Sequence, residues 1–273
     1  MHKTWFITGC STGFGRSLAK YLLEKGEEVA VTARNTSALD EFADYDNALV
    51  LALDVIDPAM VSAATEKALE RFGKIDVLVN NAGYGFRGAV EEGGDQEIER
   101  IFATNFFGPV NLIKAVLPGM RARRSGDIVN FSSIAAFKTA EGSGYYGATK
   151  AALEALSDAL RKEVFPLGIR VMVVEPGPFK TDFAGRSLAI SETNIADYAQ
   201  TAGKRKERDD PHTEWKLGDT DKAAKVIADV MAKDAIPFRL LLGSDAVQIA
   251  RADIAAKEAE IGQWEAMSTA TDA

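Results

Sequence analysis

The sequence TGCSTGFG, residues 8–15, lies between a predicted strand and a predicted helix, and this position indicates the fold class. The apolar run 4–9 (TWFITG) predicts a buried strand, and 15–26 (GRSLAKYLLEKG) predicts an amphipathic helix that stops at Gly26. Glycines at 9, 13 and 15 permit a tight turn and a close approach of backbone to ligand. The following helix N-terminus offers free N–H groups to a pyrophosphate. The spacing is TGxxxGxG, so the strand–turn–helix context carries the prediction of a dinucleotide site.

Six further apolar runs predict strands at 28–33, 48–53, 76–82, 127–133, 169–176 and 238–243. They are continuously apolar, as strands buried on both faces are. Amphipathic helical runs separate them, and one of these covers the segment DQEIERIFATNFFGPVNLIKAVLPGM. This alternation predicts a parallel sheet with right-handed crossovers and helices on both faces.

Two regions depart from this alternation. Residues 182–219 are polar and weakly periodic, and insertions of this length are often lids or binding loops. Residues 244–267 predict a final amphipathic helix, followed by a frayed tail, STATDA.

Composition excludes several classes of protein. The 273 residues carry a net charge of −8, and the basic runs 121–124 and 203–208 are expected to be solvated surface, so we predict no nucleic-acid partner. The single cysteine, Cys10, suits a reducing compartment. No apolar stretch approaches the ~20 residues of a membrane span, so we expect a cytoplasmic protein with no membrane partner. His2 and His212 are not in metal-ligand spacing, so we predict no metal site.

The cofactor preference rests on the end of the second predicted strand. NAD-binding folds place an acidic residue there to bind the ribose hydroxyls, whereas this chain has Ala33 followed by Arg34. An arginine can pair with a 2′-phosphate. We therefore predict that NADP(H) is preferred, with NAD(H) possible; the alternative is an exposed arginine without a role. Asp54 closes the third strand and NNAG (80–83) the fourth, where ligands bind in open α/β sheets.

Taken together, these motifs resemble the short-chain dehydrogenase/reductase family. The matching motifs occur in family order: TGxxxGxG at 8–15, DV at 54–55, NNAG at 80–83, an asparagine at 105, IVNFSS at 128–133, YxxxK at 146–150, and PG with a later threonine at 176–181. The resemblance implies a doubly wound, mostly seven-stranded parallel sheet (Rossmann fold, three-layer αβα) in a single domain over 1–273. It also implies hydride transfer between NAD(P) and a carbonyl or alcohol.

The resemblance also implies the site residues. The catalytic set is Asn105, Ser133, Tyr146 and Lys150. The cofactor-binding set is Gly9, Ser11, Thr12, Gly13, Phe14, Gly15, Arg34, Asp54, Val55, Asn81, Ala82, Gly83, Tyr146, Lys150, Pro176, Gly177, Phe179 and Thr181. Thr12 is a departure, because many NADP-preferring members carry a basic residue there.

The chemistry of these side chains suits proton exchange. A free tyrosine titrates near ~10, and a nearby ammonium lowers that pKa. Lys150 lies four residues after Tyr146, on the same helix face, whereas Tyr145 has Thr149 there. Ser133 would hold the substrate oxygen near Tyr146, and the resemblance implies that the Asn105 side chain holds a water for proton relay.

Pocket candidates are mainly apolar, and they predict a hydrophobic ketone, aldehyde or secondary alcohol as substrate. They are Ala135, Phe137, Lys138, Glu141, Tyr145, Phe179 and Phe183. Two alternatives remain open: an epimerase or dehydratase on the same scaffold, and a non-catalytic NADP-binding sensor. The resemblance further implies a homodimer or homotetramer that pairs through the long helices after the fourth and fifth strands.

Overall fold

The computed structural model describes residues 2–181, 185, 187–207 and 217–272. In chain order its strands and helices are β1 (Thr4–Ile7), α1 (Gly13–Glu24), β2 (Glu28–Ala33), β3 (Ala48–Ala52), α2 (Pro58–Phe72), β4 (Val77–Asn80), β5 (Gly85–Arg87), α3 (Asp95–Phe102), α4 (Gly108–Arg123), β6 (Gly126–Phe131), α5 (Gly144–Val164), β7 (Ile169–Pro176), β8 (Leu188–Ile190), α6 (Lys204–Glu207), α7 (Thr220–Met231), β9 (Arg239–Leu242) and α8 (Ser244–Thr269).

Seven strands form one parallel sheet in the order β3-β2-β1-β4-β6-β7-β9. The predicted α/β architecture is therefore confirmed. The chain runs outward from β1 to β3 and then returns to place β4 on the other side of β1. That reversal opens a crevice beyond the carboxyl ends of β1 and β4, which is where open α/β sheets bind ligands.

Several strands end before the predicted residue. β1 stops at Ile7 rather than residue 9, β4 at Asn80 rather than 82, and β6 at Phe131 rather than 133. Strand pairing ends where the glycine turn, NNAG and the serine pair begin, so those motifs lie in loops at the crevice edge.

Each face of the sheet carries its own hydrophobic core. Neighbouring residues of β1 divide between them: Ile7 packs with α1 and α7, whereas Phe6 packs with α2 and α4. Both side chains are fully buried. Because successive strand residues point to opposite faces, the continuously apolar strands fill both layers at once.

The segment predicted as one helix after β4 is interrupted. Residues Ala103–Phe107 form a π-helical turn between α3 and α4, and Asn105 is fully buried within it. The run Asp95–Arg123 is long and apolar enough to cross a membrane by length and composition alone, so the expectation that no stretch approaches a membrane span was wrong. Leu112 and Met120 of this run are fully buried against the sheet, as in the core helix of a globular protein.

Within the predicted insertion 182–219, the described residues form a strand and short helical turns. β8 pairs in parallel with β5, Gly85 opposite Leu188, and short helical turns fill 196–207. The pairing places this segment beside the chain that follows NNAG.

The C-terminal helix differs from its prediction. Ala246 and Ala250 are buried, but the side chains beyond them are exposed apart from that of Asp253, which is half-buried. The large apolar side chains of this half, Ile254, Ile261, Trp264 and Met267, are all exposed. The helix is therefore not amphipathic against the body of the protein, and it continues through Thr269 into the tail expected to fray.

Candidate active site

The glycine turn forms a cradle that a side chain would fill. Gly9 and Gly13 have φ values of 73° and 58°, a left-handed backbone that glycine adopts without strain. A Cβ on Gly15 would lie 2.5 Å from the Gly9 oxygen and 2.5 Å from the Asn81 Nδ2 atom. Helix α1 can therefore approach β4 only because residue 15 is glycine.

The turn is hydrogen-bonded to NNAG. Asn81 Nδ2 donates to the oxygens of Thr8 at 2.8 Å and Gly9 at 3.0 Å. Thr8 Oγ1 in return accepts from the backbone N–H groups of Asn81 and Ala82, both at 3.0 Å. The structure thus brings two predicted cofactor segments together, and it adds Thr8, which the sequence motif contains but does not single out.

A cleft of about 310 Å³ lies at the N-terminus of α1. It is lined by Thr12, Gly13, Arg16, Ser17, Lys180, Thr181, Thr220 and Asp221. No side chain caps the first turn of α1, so its N–H groups face this cleft region with the positive end of the helix dipole. These features fit a dinucleotide pyrophosphate.

Other predicted cofactor residues lie at the same edge of the sheet. Phe14 packs between Phe131 and Phe179, with ring centroids 5.4 Å and 4.7 Å away. At the end of β7 the Gly177 N–H donates to the Leu242 oxygen at 3.0 Å, which fixes the Pro176–Gly177 turn beside the start of α8. Ser11 and Gly83 are half-buried at the same edge of the sheet.

The predicted adenosine end has a less specific geometry. Arg34 is exposed just beyond β2 and makes no hydrogen bond or ion pair with any residue in the described part of the chain. Asp54 accepts from the Ile56 N–H at 3.2 Å, the geometry of a local turn. Val55 is buried, and its backbone oxygen accepts from Asn111 Nδ2 at 3.2 Å.

Ser133, Tyr146 and Lys150 converge where β6 ends and α5 begins. Ser133 is hydrogen-bonded to Tyr146 and also accepts from the Ala135 N–H at 3.1 Å. Lys150 Nζ lies 5.9 Å from the centroid of the Tyr146 ring and donates to the Phe131 oxygen at 2.8 Å. The helical spacing of four residues thus places the ammonium behind the phenol.

Burial controls the titration of this pair. It raises the pKa of Tyr146 to about 12, against a smaller lowering by the Ser133 hydrogen bond. It lowers the pKa of Lys150 to about 8, while the charge of Glu154 acts in the opposite direction. The expectation of a lowered tyrosine pKa is therefore wrong, because the loss of solvation outweighs the hydrogen bond from Ser133. Tyr146 is protonated at neutral pH.

The Asn105 side-chain amide makes three hydrogen bonds within the protein, and the water-relay role that the resemblance implies stays a prediction. Its Oδ1 accepts from the Tyr84 N–H at 3.0 Å, and its Nδ2 donates to the Tyr84 oxygen at 2.9 Å and to Thr149 Oγ1 at 3.2 Å. Both amide N–H donors are thereby used. Asn105 ties the chain after NNAG to the helix that carries Tyr146 and Lys150.

The substrate-pocket candidates have different environments. The Tyr145 hydroxyl donates to the Val90 oxygen at 2.7 Å, and its ring packs edge-on against Phe86 and over Gly93. Phe137 lies under the Arg239 guanidinium at 5.2 Å. Ala135 is half-buried, whereas Lys138 and Glu141 are exposed, and Phe183 lies outside the described residues.

The motifs do not predict the ion pair between Glu92 and Lys206, which joins the insertion 182–219 to the segment before α3. The Glu92 carboxylate pairs with Lys206 Nζ at 2.7 Å and accepts from the Ile195 N–H at 2.9 Å and the Ala89 N–H at 2.9 Å. The Lys206 hydrogen bond is the largest of the effects that lower the pKa of Glu92 to about 2. Glu92 lies in the segment VEEGG, and no local pattern there indicates that it pairs with Lys206, 114 positions further along the chain.

Comparison with known proteins agrees with this geometry. The family model described as short chain dehydrogenase matches residues 3–190, so the chain belongs to the short-chain dehydrogenase family of oxidoreductases. It is 37% identical over 244 residues to a 3-ketodihydrosphingosine reductase of Bacteroides thetaiotaomicron, covering 87% of this chain and 86% of that protein.

Solved structures show the same relationship. A short-chain dehydrogenase from Streptomyces avermitilis is 40% identical, with a TM-score of 0.92 and full coverage of both chains. An alcohol dehydrogenase from Thermococcus sibiricus complexed with 5-hydroxy-NADP is 25% identical, with a TM-score of 0.73, covering 89% of this chain and 96% of that one. Family and cradle together support a nicotinamide dinucleotide as the cofactor.

Proposed function

We propose that this enzyme interconverts a carbonyl and an alcohol with NADP(H), and that Tyr146 exchanges the proton. The observation that carries the proposal is the hydrogen bond between Ser133 and Tyr146 with the buried Lys150 ammonium one helical turn behind it. This arrangement lies at the same sheet edge as the cradle of Gly9, Gly13 and Gly15.

The bound nicotinamide would supply or accept the hydride, and the protein would handle the proton. With a pKa raised to about 12, Tyr146 keeps its proton at neutral pH and is available as a donor to the oxygen of a ketone or aldehyde. Ser133 donates a hydrogen bond to the same oxygen and holds it beside the phenol. Lys150 stabilises the phenolate that remains, because an ammonium this close favours the charged form.

The cofactor would be held by backbone as much as by side chains. The first turn of α1 faces the pyrophosphate, while Thr12 and Thr181 border the same cleft. Asn81, Ala82 and the Pro176–Gly177 turn close the sides. We propose NADP(H) over NAD(H), since Arg34 is exposed at the end of β2 where an NAD-specific acid would stand.

The substrate proposed is a hydrophobic ketone, aldehyde or secondary alcohol. Phe137 and Tyr145 supply aromatic surface near the catalytic residues, and the name of the Bacteroides relative describes reduction of a 3-keto compound. The most direct test is a panel of aliphatic, aromatic and long-chain carbonyls, followed through oxidation of NADPH and of NADH. Substrate-dependent oxidation supports the proposal. Tight NADPH binding without turnover on any member favours the sensor alternative.

The assignment of Tyr146 is tested by two single-atom changes. Tyr146→Phe removes the proton donor, so we expect turnover to fall by at least about 100-fold while NADPH binding persists. Tyr145→Phe is the matched control on the adjacent residue; it loses only the hydrogen bond to Val90 and should keep turnover. Equal activity of the two variants would refute the assignment.

We also propose that the enzyme is a cytoplasmic homodimer or homotetramer. Large apolar side chains are exposed at the helices expected to pair: Phe107 is 54% exposed between α3 and α4, and Phe165 is 78% exposed after α5. Exposed aromatic side chains of this kind suit an interface. Light scattering after size-exclusion chromatography measures the mass, and a monomer at micromolar concentration would contradict the proposal.

A further inference from the structure

A cluster of polar side chains, buried except for Arg239, lies next to Ser133 and Lys150. It joins Ser132 after β6, Glu154 on α5, Glu175 on β7 and Arg239 on β9. Ser132 lies within the IVNFSS motif, but the motifs assign no catalytic or cofactor-binding role to any of these four residues. Glu175 is fully buried and Glu154 is 7% exposed, so their contacts are screened little by solvent.

We infer that Glu154 is a positioning residue for the proposed reaction, whose carboxylate fixes the strand end that carries Ser133 and sustains the positive charge of Lys150. This inference rests on the proposed function for its catalytic meaning. The contacts that carry it stand independently of any substrate.

Both oxygens of Glu154 accept hydrogen bonds. Oε1 accepts from Ser132 Oγ at 2.5 Å, and Oε2 accepts from Arg239. The Arg239 guanidinium has only donors and is always charged, so Glu154 accepts from a cation. The Ser132 contact fixes the residue next to Ser133, so the position of the catalytic hydroxyl depends on Glu154.

Glu175 has the opposite environment. Its Oε1 accepts from Arg239, but its Oε2 is buried without a hydrogen-bond partner among the described residues. Burial, reinforced by the charge of Glu154, raises the pKa of Glu175 to about 7. Of the two carboxyl groups that share the guanidinium, Glu175 is therefore the one that takes up a proton at a higher pH than an ordinary glutamate does.

The charge of Glu154 acts on Lys150, which lies one helical turn earlier on the same face. Burial lowers the pKa of Lys150 to about 8, and Glu154 is the charged neighbour that opposes this effect. Among the described residues, the groups that face the carboxyl pair are Lys150 from α5, Arg239 from β9 and the Ser132 hydroxyl just after β6. Without Glu154 the ammonium would lose its anionic neighbour and would deprotonate at a lower pH.

Arg239 extends the cluster to the substrate side. Its guanidinium stands 5.2 Å from the ring centroid of Phe137, which follows Ser133 by one short helical turn. One guanidinium thus contacts both acids and a wall of the proposed pocket. Its side chain remains 40% exposed, so the cluster reaches solvent at β9.

The test is the charge-neutral variant Glu154→Gln. Incorporation of ¹³C-labelled lysine, with Lys150→Arg to assign the signal, allows Lys150 to be titrated by NMR whether or not a substrate is known. We expect its pKa to fall by roughly one unit in Glu154→Gln. We further expect the pH above which kcat declines to move down by the same amount, with a smaller change in KM. An unchanged Lys150 titration overturns the inference.

Three companion variants separate charge from folding. Asp158→Asn makes the same charge change one turn further along α5, on an exposed side chain paired with Arg161 and Lys162, and it should leave the Lys150 titration unchanged. Glu154→Asp keeps the charge and should restore most of the wild-type pH profile. Glu175→Gln should shift it less than Glu154→Gln, and an equal shift would contradict the assignment of the charge to Glu154.

The two proposals fail separately. If no carbonyl is reduced but the Lys150 titration shifts as expected, the proposed function fails and the electrostatic role of Glu154 stands. If wild-type enzyme turns over and neither the titration nor the pH profile responds to Glu154→Gln, the reaction stands and the positioning role fails.

Discussion

Asn105 and Tyr84 are joined by two hydrogen bonds, one in each direction. The Tyr84 N–H donates to Asn105 Oδ1 at 3.0 Å, and Asn105 Nδ2 donates to the Tyr84 oxygen at 2.9 Å. A side-chain amide here pairs with backbone as a neighbouring strand would. Its second donor reaches Thr149 Oγ1, one residue before Lys150. The loop that follows β4 and the catalytic helix are therefore positioned relative to each other by one side chain.

Asn105→Ala should destabilise the protein and weaken catalysis together. It removes three hydrogen bonds from a fully buried site and leaves backbone groups of Tyr84 unpaired, so we expect a loss of about 2–4 kcal/mol in the free energy of unfolding. Urea denaturation measures it. Asn111→Ala, which removes a single hydrogen bond to the Val55 oxygen, is the control and should cost about 1 kcal/mol. Equal losses of stability in the two variants would show that the three hydrogen bonds of Asn105 stabilise the protein no more than the single one of Asn111 does.

Gly15→Ala should damage the cofactor cradle. The new Cβ would lie 2.5 Å from both the Gly9 oxygen and Asn81 Nδ2, so one loop must move. We expect a loss of about 1–3 kcal/mol in stability and at least about 10-fold weaker NADPH binding, read by fluorescence titration. Gly262→Ala is the matched control: nothing lies within 4 Å of the added atom, and a glycine-to-alanine change inside a helix should stabilise by about 0.5–1 kcal/mol.

Arg34→Asp should reverse the cofactor preference. Loss of a charge-assisted pair with the 2′-phosphate is worth about 1.5–3 kcal/mol, which corresponds to roughly a 10- to 100-fold fall in kcat/KM with NADPH. Activity with NADH should be retained or rise, because an acid can accept from the ribose hydroxyls. Lys20→Asp makes the same charge change on an exposed face of α1 away from the cleft. A preference ratio that moves equally in both variants would mean that net charge alone is sensed.

Glu92→Gln should loosen the segment 187–207 from the rest of the protein. The Glu92–Lys206 pair is nearly free of solvent, with side chains 2% and 7% exposed, and breaking a buried pair by removing one partner costs about 3–5 kcal/mol. Limited proteolysis should then cut within 187–207 faster than in wild type. The double variant Glu92→Gln/Lys206→Met should recover part of the loss, because no charge remains buried alone. An unchanged cleavage rate would contradict the prediction that the Glu92–Lys206 pair holds the segment 187–207 in place.

The same pair makes a pH prediction. The pKa of Glu92 is about 2 in the folded state, below the ordinary value of 4.5. At intermediate pH the folded state therefore binds fewer protons at this group than the unfolded state does. Its stabilisation is complete above about pH 4.5 and is lost as the pH falls toward about 2. Thermal unfolding followed from pH 6 to pH 2.5 should therefore show a smaller acid sensitivity in Glu92→Gln than in wild type.

The apolar runs in the sequence were enough to predict the strands of the sheet. Strands 28–33 and 169–176 match the structure residue for residue, because a continuous apolar run has few other ways to be buried. Strand ends were less predictable: Thr8 and Ser132 read as strand residues, yet they turn away to bond Asn81 and Glu154. Their behaviour depends on partners far along the chain.

The candidate site was predictable as a set of residues but not as a set of contacts. The motif order placed Ser133, Tyr146 and Lys150 in one site, and their geometry needs only a strand end and one helical turn. The motif order does not reveal that the Asn105 amide is consumed by Tyr84, since the π-helical turn that buries it leaves no sequence period. Nor does it reveal Glu154 and Arg239, which meet across 85 positions of chain.

The pairing of β5 with β8 bears on how the chain is made. During synthesis β5 leaves the ribosome with its edge uncovered, and β8 follows roughly 100 residues later, a delay of about 5–20 seconds at ordinary elongation rates. Throughout that interval the nascent chain holds an unpaired strand next to its ligand crevice. Because an unpaired strand edge can pair with another chain, we expect slower translation beyond residue 87 to lower the soluble yield.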